Sequence, residues 1–250
     1  FESNMFCIRL NKQINELFFV YYSNTERYIK QKLSLAKVTN QASLSQSDIG
    51  FVNIVFSSIQ EQEKIASFLT SVDAKIEQLS KKEELLKIYK KGVMQKIFSQ
   101  ELRFKDANGN NYPDWEEKKL GCISKITIGE FVIKTKQNPN SDYPVFNGGK
   151  TFTGFYDNYN NEADKIVISA RGANAGFVNY VDRKFWAGNS CYSVEIIDTK
   201  VNSVLFIYNY IKYKQHLFTD YQQAANIPSV SKKETQIFKV VCPFIEEQQK

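Results

Sequence analysis

The 250-residue sequence holds a single histidine, His216, and four cysteines, Cys7, Cys122, Cys191 and Cys242, no two of them neighbours in the chain. Tetrahedral metal sites draw on several such ligands at short paired spacings, so no metal centre is expected. Scattered thiols without a pairing pattern fit a reducing compartment, and a cytoplasmic location is the expectation. No apolar run approaches the ~20 residues of a membrane span. The signatures of nucleotide chemistry are also missing: there is no GxxxxGK[ST] phosphate loop, and no GxGxxG follows a strand. "PDWEEKK" (Pro113 to Lys119) superficially suggests a nuclease core, but such cores take their carboxylates from separate strands, and Asp114 and Glu117 are only three apart. It reads as a turn and a solvated charge run. "NNYPD" lacks the double proline of amino-methyltransferases, and His216 in "KQHLF" suits a helix surface better than a general base. No catalytic residue is expected.

What the sequence does contain is a repeat, the feature that decides a fold reading when present. Laid without gaps over Asn226 to Lys250, the stretch Asn40 to Lys64 matches Asn40 with Asn226, Ser43 with Ser229, Ser45 with Ser231, Val55 with Val241 and Ile59 with Ile245. Glu61, Gln62 and Lys64 then meet Glu247, Gln248 and Lys250, an offset of 186. Carried upstream, the same offset sets Phe19 to Tyr22 against Leu205 to Tyr208, and Phe6 to Ile8 against Tyr192 to Val194. Each copy carries a capping-box pattern, Ser45-x-x-Asp48 or Ser231-x-x-Glu234, then an apolar run, then Glu-rich residues suited to a helix start. Both therefore read as short helix, strand, long helix. Only the first copy runs on past its lysine, and the start at Phe1 is not Met, so the chain is expected to be a window on a longer tandem protein.

From Ile59 to about Gln100 there is no proline, and Gly92 is the sole glycine. Ile65, Val72, Leu79, Leu86 and Val93 fall seven apart, flanked by Phe68, Leu69, Ile76, Leu85, Tyr89 and Ile97, with Lys75, Lys82 and Lys96 interrupting the flank. That pattern predicts a helix of about 40 residues, roughly 60 Å long at 1.5 Å per residue, with one face that needs a partner. The partner is either the helix's own domain or a second, antiparallel helix. In the second case the rods hold two heads apart, and self-association through the long helix is a further expectation.

After the turn cluster "DANGNNYPDW" (Asp106 to Trp115) come short β-rich runs at 143–146, 165–170, 176–181 and 191–197, then a helix over Val201 to Gln215. Strands followed by helices indicate an α+β head rather than a doubly wound sheet. Three of its loops have residues suited to DNA. "FNGGKTFTGFYDNYN" offers Lys150, Thr151, Thr153 and Tyr156 beside Gly148 and Gly149; "SARGANAG" offers Ser169, Arg171 and Asn174; "KFWAGNS" offers Lys184 and Ser190. Arginine can bond guanine bidentately and asparagine adenine, while hydroxyls and backbone amides hold phosphates. Tight turns explain the glycines equally well. Trp186 and the Tyr208, Tyr210 and Tyr213 stripe read as core. A net charge of +6 tolerates a polyanionic partner without requiring one.

Taken together, "EQEKIASFL" (Glu61 to Leu69), the helix "KKEELLKIYKKGVMQKIFSQELRF" (Lys81 to Phe104), "YPDWEEKKLG" (Tyr112 to Gly121) and the Ala170-Arg171-Gly172 loop resemble the specificity subunit of type I restriction-modification systems. The resemblance implies an α+β target recognition domain of short strands and helices attached to a long coiled-coil-forming helix, in a tandem pseudo-repeat. Residues 1–58 would be the C-terminal part of a first recognition domain, 59–104 a spacer helix, 105–244 a second recognition domain and 245–250 the start of a second helix. It implies a non-catalytic subunit that reads a split double-stranded DNA site and docks modification (methyltransferase) subunits, with restriction subunits engaged indirectly. S-adenosylmethionine, ATP and Mg would then sit on those partners and no cofactor on this chain. Lys150, Thr151, Arg171, Asn174, Lys184 and Ser190, with Gln222 and Gln223, are the candidate DNA contacts, and the heptad stripe serves helix packing. A nuclease or methyltransferase fused to a recognition head, and a coiled-coil scaffold that binds no DNA, are the competing readings.

Overall fold

The computed structural model describes residues 7–38, 42–220 and 228–250, and the chain divides into two compact units, 1–90 and 91–250. The first unit opens with α1 (Glu16–Ser23) and α2 (Glu26–Leu35), each started by a polar cap. Asn15 Oδ1 accepts from Phe18 N at 3.0 Å and Thr25 Oγ1 from Tyr28 N at 3.4 Å, satisfying donors that the helices themselves cannot. Phe18 and Tyr28 are buried between the helices, with Tyr22 stacked on the first and edge-on to the second. A two-residue ladder, β1 (Lys37–Val38) with β2 (Ala42–Ser43), leads into α3 (Gln46–Gly50). The capping box at Ser45 and Asp48 is formed in both directions, at 3.2 and 2.8 Å.

Next comes α4 (Ile59–Phe98), one uninterrupted helix of 40 residues. Its first turns are fastened to the unit by buried Gln62 and Ala66, and by a 2.7 Å hydrogen bond from Tyr21 OH to Asp73 Oδ2. The apolar stripe is partly in solvent along its length: Ile65, Val72, Leu79 and Leu86 are 36%, 39%, 54% and 54% exposed. Burying a fully exposed apolar side chain is worth about 1.5–3 kcal/mol, and the part of that still to be gained at each of these makes the stripe a reserve of association energy. Val93, in the second unit, is half-buried. The helix stops at Phe98 rather than at the expected 104, because Gln100 adopts a left-handed φ of 62° and the Leu102 amide turns back to Lys96 O at 3.0 Å.

The second unit continues through β3 (Glu116–Lys119), α5 (Leu120–Ile123), β4 (Ser124–Ile128), a 3-10 turn at Lys134–Lys136, β5 (Tyr143–Phe146), β6 (Gly154–Tyr156), β7 (Lys165–Ser169), β8 (Val178–Val181), β9 (Trp186–Ala187) and β10 (Cys191–Ile196). Then follow α6 (Val204–Tyr213), α7 (Leu217–Asp220), α8 (Lys232–Ile237), β11 (Lys239–Cys242) and α9 (Ile245–Gln248). The main sheet is antiparallel in the order β4-β10-β7-β8, beside a three-stranded sheet β6-β5-β9 and the pair β11-β3. β7 is buried on both faces: Ile166 and Ile168 face a core with Val178, Val194, Ile207 and Phe218, while Val167 faces Val181, Phe185 and Cys191. That is why its sequence is a continuous apolar run rather than an alternating one. The α+β expectation holds. "EEKK", expected as an open charge run, is instead β3, because β11 supplies a ladder and Lys239 lies 2.8 Å from Glu117.

The two copies differ where their surroundings differ. β11 forms against β3, but no segment of this sequence corresponds to β3 in the first copy. The matching residues there stay extended without a ladder, held by Tyr22 OH, which accepts from Val55 N at 3.1 Å, and by Gln31, bonded to Asn53 at 2.9 and 3.1 Å. The strand expected in both copies exists only in the second. Upstream, the true offset is 188, not 186: the N-caps are Asn15 and Ser203, which pairs Phe18 with Phe206 and Tyr22 with Tyr210. Cys7 and Ile8, set against β10 by the smaller offset, belong to no strand. Glu247 is buried, receiving Arg103 at 2.8 and 3.2 Å and Trp115 Nε1 at 3.3 Å, whereas its counterpart Glu61 is exposed. The Glu247 carboxylate pushes the Arg103 pKa up, as a paired guanidinium requires. Removing Arg103 strands a buried carboxylate, a loss of about 3 kcal/mol for such a pair. Chemical denaturation of Arg103→Ala should show a loss of that order in the second unit; a loss under ~0.5 kcal/mol, the level of an exposed pair, would contradict the pairing.

Candidate nucleic-acid interface

At the Ser169 end of β7 the register sets Cys191, the first residue of β10, opposite Ser169. Three loops meet at this end: 170–176 after β7, 188–190 before β10, and 147–153 between β5 and β6 of the smaller sheet. Backbone groups at this rim have no strand partner, and they pair across the loops instead. Gly148 N–H donates to Cys191 Sγ at 3.0 Å, Ser190 N–H to Asn147 Oδ1 at 3.1 Å, and Ala170 N–H to Ser190 O at 2.8 Å. Burial pushes the Cys191 thiol up to about 11, so this acceptor is the neutral thiol. Gly148 has φ 78°, and a Cβ there would come within 2.9 Å of Arg171 O, so only glycine lets the two loops approach this closely. A fourth segment joins them: Val230 N–H donates to Ala170 O at 2.9 Å and Gly172 N–H to Pro228 O at 3.0 Å, with Arg171 bridged to Ser229.

The resulting rim exposes Lys150, Thr151, Thr153 and Arg171, with Asn174 and Ser190 half-buried among them. Lys232 and Lys233 stand exposed at the start of α8, on the same fourth segment. Tyr192 lies beneath; burial raises its pKa, the Arg171 charge lowers it, and Glu234 opposes Arg171. Four cations on rigid backbone, with hydroxyl and amide side chains between them, can hold phosphates and present a guanidinium and a carboxamide to base edges.

Other expected contacts lie elsewhere. Tyr156 is 6% exposed; its hydroxyl accepts from Ile133 N at 2.6 Å and donates to Ile133 O at 2.9 Å, and its ring meets Trp186 edge-on. Ser169 is 1% exposed and donates to Gly149 O at 3.0 Å. These two were expected as DNA contacts, but both side chains are buried and bonded to loop backbone, Ser169 to Gly149 and Tyr156 to Ile133. Lys184 belongs to the opposite end of β7, where Tyr159 OH lies 2.8 Å away, its ring centroid 4.2 Å away and Glu162 3.5 Å away. Gln222 and Gln223 lie outside the described residues. Lys232 and Lys233 were missed: the capping-box pattern around them explained the residues as a helix start, and only the bonds to Ala170 and Gly172 bring them to the rim.

A profile of the family described as "Type I restriction modification DNA specificity domain" matches residues 1–87 and again 112–250. The chain belongs to this family. A Methanocaldococcus jannaschii protein described as a type I restriction enzyme specificity subunit is 28% identical over 98% of this chain and 62% of its own length. A Mycoplasma genitalium protein described as a type I specificity subunit is 24% identical over 93% of this chain and 63% of its own. The chain thus spans less than two thirds of these relatives. In fold it is similar to the crystal structure of a type I restriction-modification S subunit from M. genitalium, with a TM-score of 0.74 at 22% identity over 96% of this chain and 65% of that one. The two profile matches flank the last part of α4, in keeping with the tandem repeat and the long helix.

On this rim the guanidinium expected to read bases, Arg171, is exposed. Arg171→Ala should cost roughly 1–3 kcal/mol on the cognate duplex if it reads a base edge. Equal loss on all duplexes would make it a phosphate anchor, and no loss would remove it from the interface.

Proposed function

We propose that this chain is the sequence-reading part of a type I restriction-modification specificity subunit, with no catalytic role of its own. The observation that carries the reading is the convergence of four separate segments into one cationic rim, fixed by backbone hydrogen bonds at the Ser169 end of β7. In this reading the second unit binds half of a split double-stranded DNA site. A second recognition domain binds the other half, and α4 with a companion helix spaces the two. The exposed stripe of Ile65, Val72, Leu79 and Leu86 supports a helical companion, either within the full subunit or on a second copy of this chain. Modification subunits dock on the assembly and carry S-adenosylmethionine; restriction subunits, with ATP and Mg, join through them. Among the described residues no helix is long and apolar enough to cross a membrane.

Electrophoretic retardation with random and library-selected duplexes tests the reading. Selection should enrich a bipartite sequence, whereas a scaffold without DNA binding enriches none. Affinity should fall with salt, since each neutralised phosphate contributes about −0.9 to the slope of log K against log salt. Lys150→Ala and Lys232→Ala should each flatten that slope by about 1. Unchanged slopes in both variants would place the DNA on another surface.

A further inference from the structure

Each copy of the repeat contains one buried glutamine at equivalent positions, Gln62 and Gln248, 0% and 9% exposed. Gln62 Oε1 accepts from the backbone N–H of Asn15 at 2.9 Å, and its Nε2 donates to Gln13 O at 2.9 Å and Ser57 O at 2.8 Å. Gln248 Oε1 accepts from Ser203 N–H at 2.7 Å, and its Nε2 donates to Val201 O at 3.2 Å and Pro243 O at 2.8 Å. The partners correspond one for one. Asn15 and Ser203 are the N-caps of α1 and α6; Gln13 and Val201 each lie two residues before the cap; Ser57 and Pro243 each lie five residues before the glutamine. The side chains at these partners differ, and so do the sheets around them, yet the same three backbone groups are held by the same carboxamide.

An N-cap N–H is commonly met by a side chain three residues on, as Asp48 and Glu234 do for Ser45 and Ser231. At α1 and α6 that local partner is replaced by a residue 47 or 45 positions away, Gln62 in the first turn of α4 and Gln248 at the end of α9. A carboxamide with one acceptor and two donors has fixed geometry once all three bonds are made. In the first unit it therefore fixes the root of α4 against the start of α1.

We propose that Gln62 and Gln248 are positioning residues for half-site spacing: each locks its outgoing helix to its recognition unit, so that the permitted interval between half-sites depends on both carboxamides. The inference rests on the DNA-reading function proposed above. One base pair of added spacer moves a half-site by about 3.4 Å and turns it by about a tenth of a helical turn, so a helix that can pivot at its root relaxes the interval.

The test uses the full-length subunit with its modification subunits and a library-selected duplex whose spacer is changed by one base pair either way. A duplex with a single half-site is the reference. The wild type should bind the altered spacers at least about tenfold more weakly. Gln62→Leu and Gln248→Leu should reduce that preference to about threefold or less, with single-half-site affinity within about threefold of wild type. Phe18→Leu, which disturbs the same unit without touching the carboxamide, should leave the preference intact. Unchanged preference in both folded glutamine variants overturns the proposal, as does an equal relaxation in Phe18→Leu. Should Gln62→Leu fail to fold, Gln248→Leu and the shortened carboxamide Gln62→Asn decide by the same criterion. A wild type that binds its selected duplex regardless of spacer overturns the spacer role and this assignment together, while one that selects no duplex overturns the DNA-reading function itself.

Discussion

The pairing of β10 with β7 in the register Cys191–Ser169 is the constraint on which the candidate interface rests. A slip of one residue would turn Ile166 and Ile168 away from their core toward Phe185 and bring the smaller Val167 into their place, mispacking both faces. Two-sided burial makes that slip costly, and the register fixes where the strand ends lie. Everything beyond those ends follows from the need of rim amides and carbonyls for partners. Gly148, Ala170, Gly172 and Val230 find theirs in one another's loops, so four segments distant in sequence share one stiff edge. Loop backbone bonded in this way has less freedom left to lose on binding, which suits discrimination between bases.

The same need for partners governs the helix roots. A helix that starts inside a packed unit leaves backbone groups that water cannot reach, and leaving one unsatisfied costs about 1–3 kcal/mol. Both copies meet the need with a buried glutamine, although their sheets differ. The carboxylate beside it behaves differently: Glu247 is buried against Arg103 and Trp115, while Glu61 faces solvent. Ion pairing thus follows which neighbours are present, whereas the glutamine bonds only to backbone and is independent of their side chains.

Much of this was legible in the residues. The runs at 143–146, 165–170 and 191–197 became β5, β7 and β10 nearly residue for residue, because buried strands of β-branched and aromatic residues bounded by turns have few alternatives. Both capping boxes formed as written. Legibility failed where a partner distant in sequence decides the outcome. β3 looked like a charge run until β11 gave it a ladder, and the apolar run around Val55 looked like a strand but pairs with none among the described residues. The end of α4 turned on a left-handed Gln100, which no composition signals. At the candidate interface the sequence marked three loops but not where each side chain lies: Ser169 and Tyr156 are buried, Lys184 sits at the far end of β7, and Lys232 reaches the rim only through the fold.

The claim that DNA lies along the Ser169 end of β7 is tested most directly by photocrosslinking. A photoreactive side chain in place of Lys150 should crosslink efficiently to the selected duplex, and one in place of Lys184, at the other end of the strand, should not. Crosslinking from position 184 with none from position 150 would contradict the account.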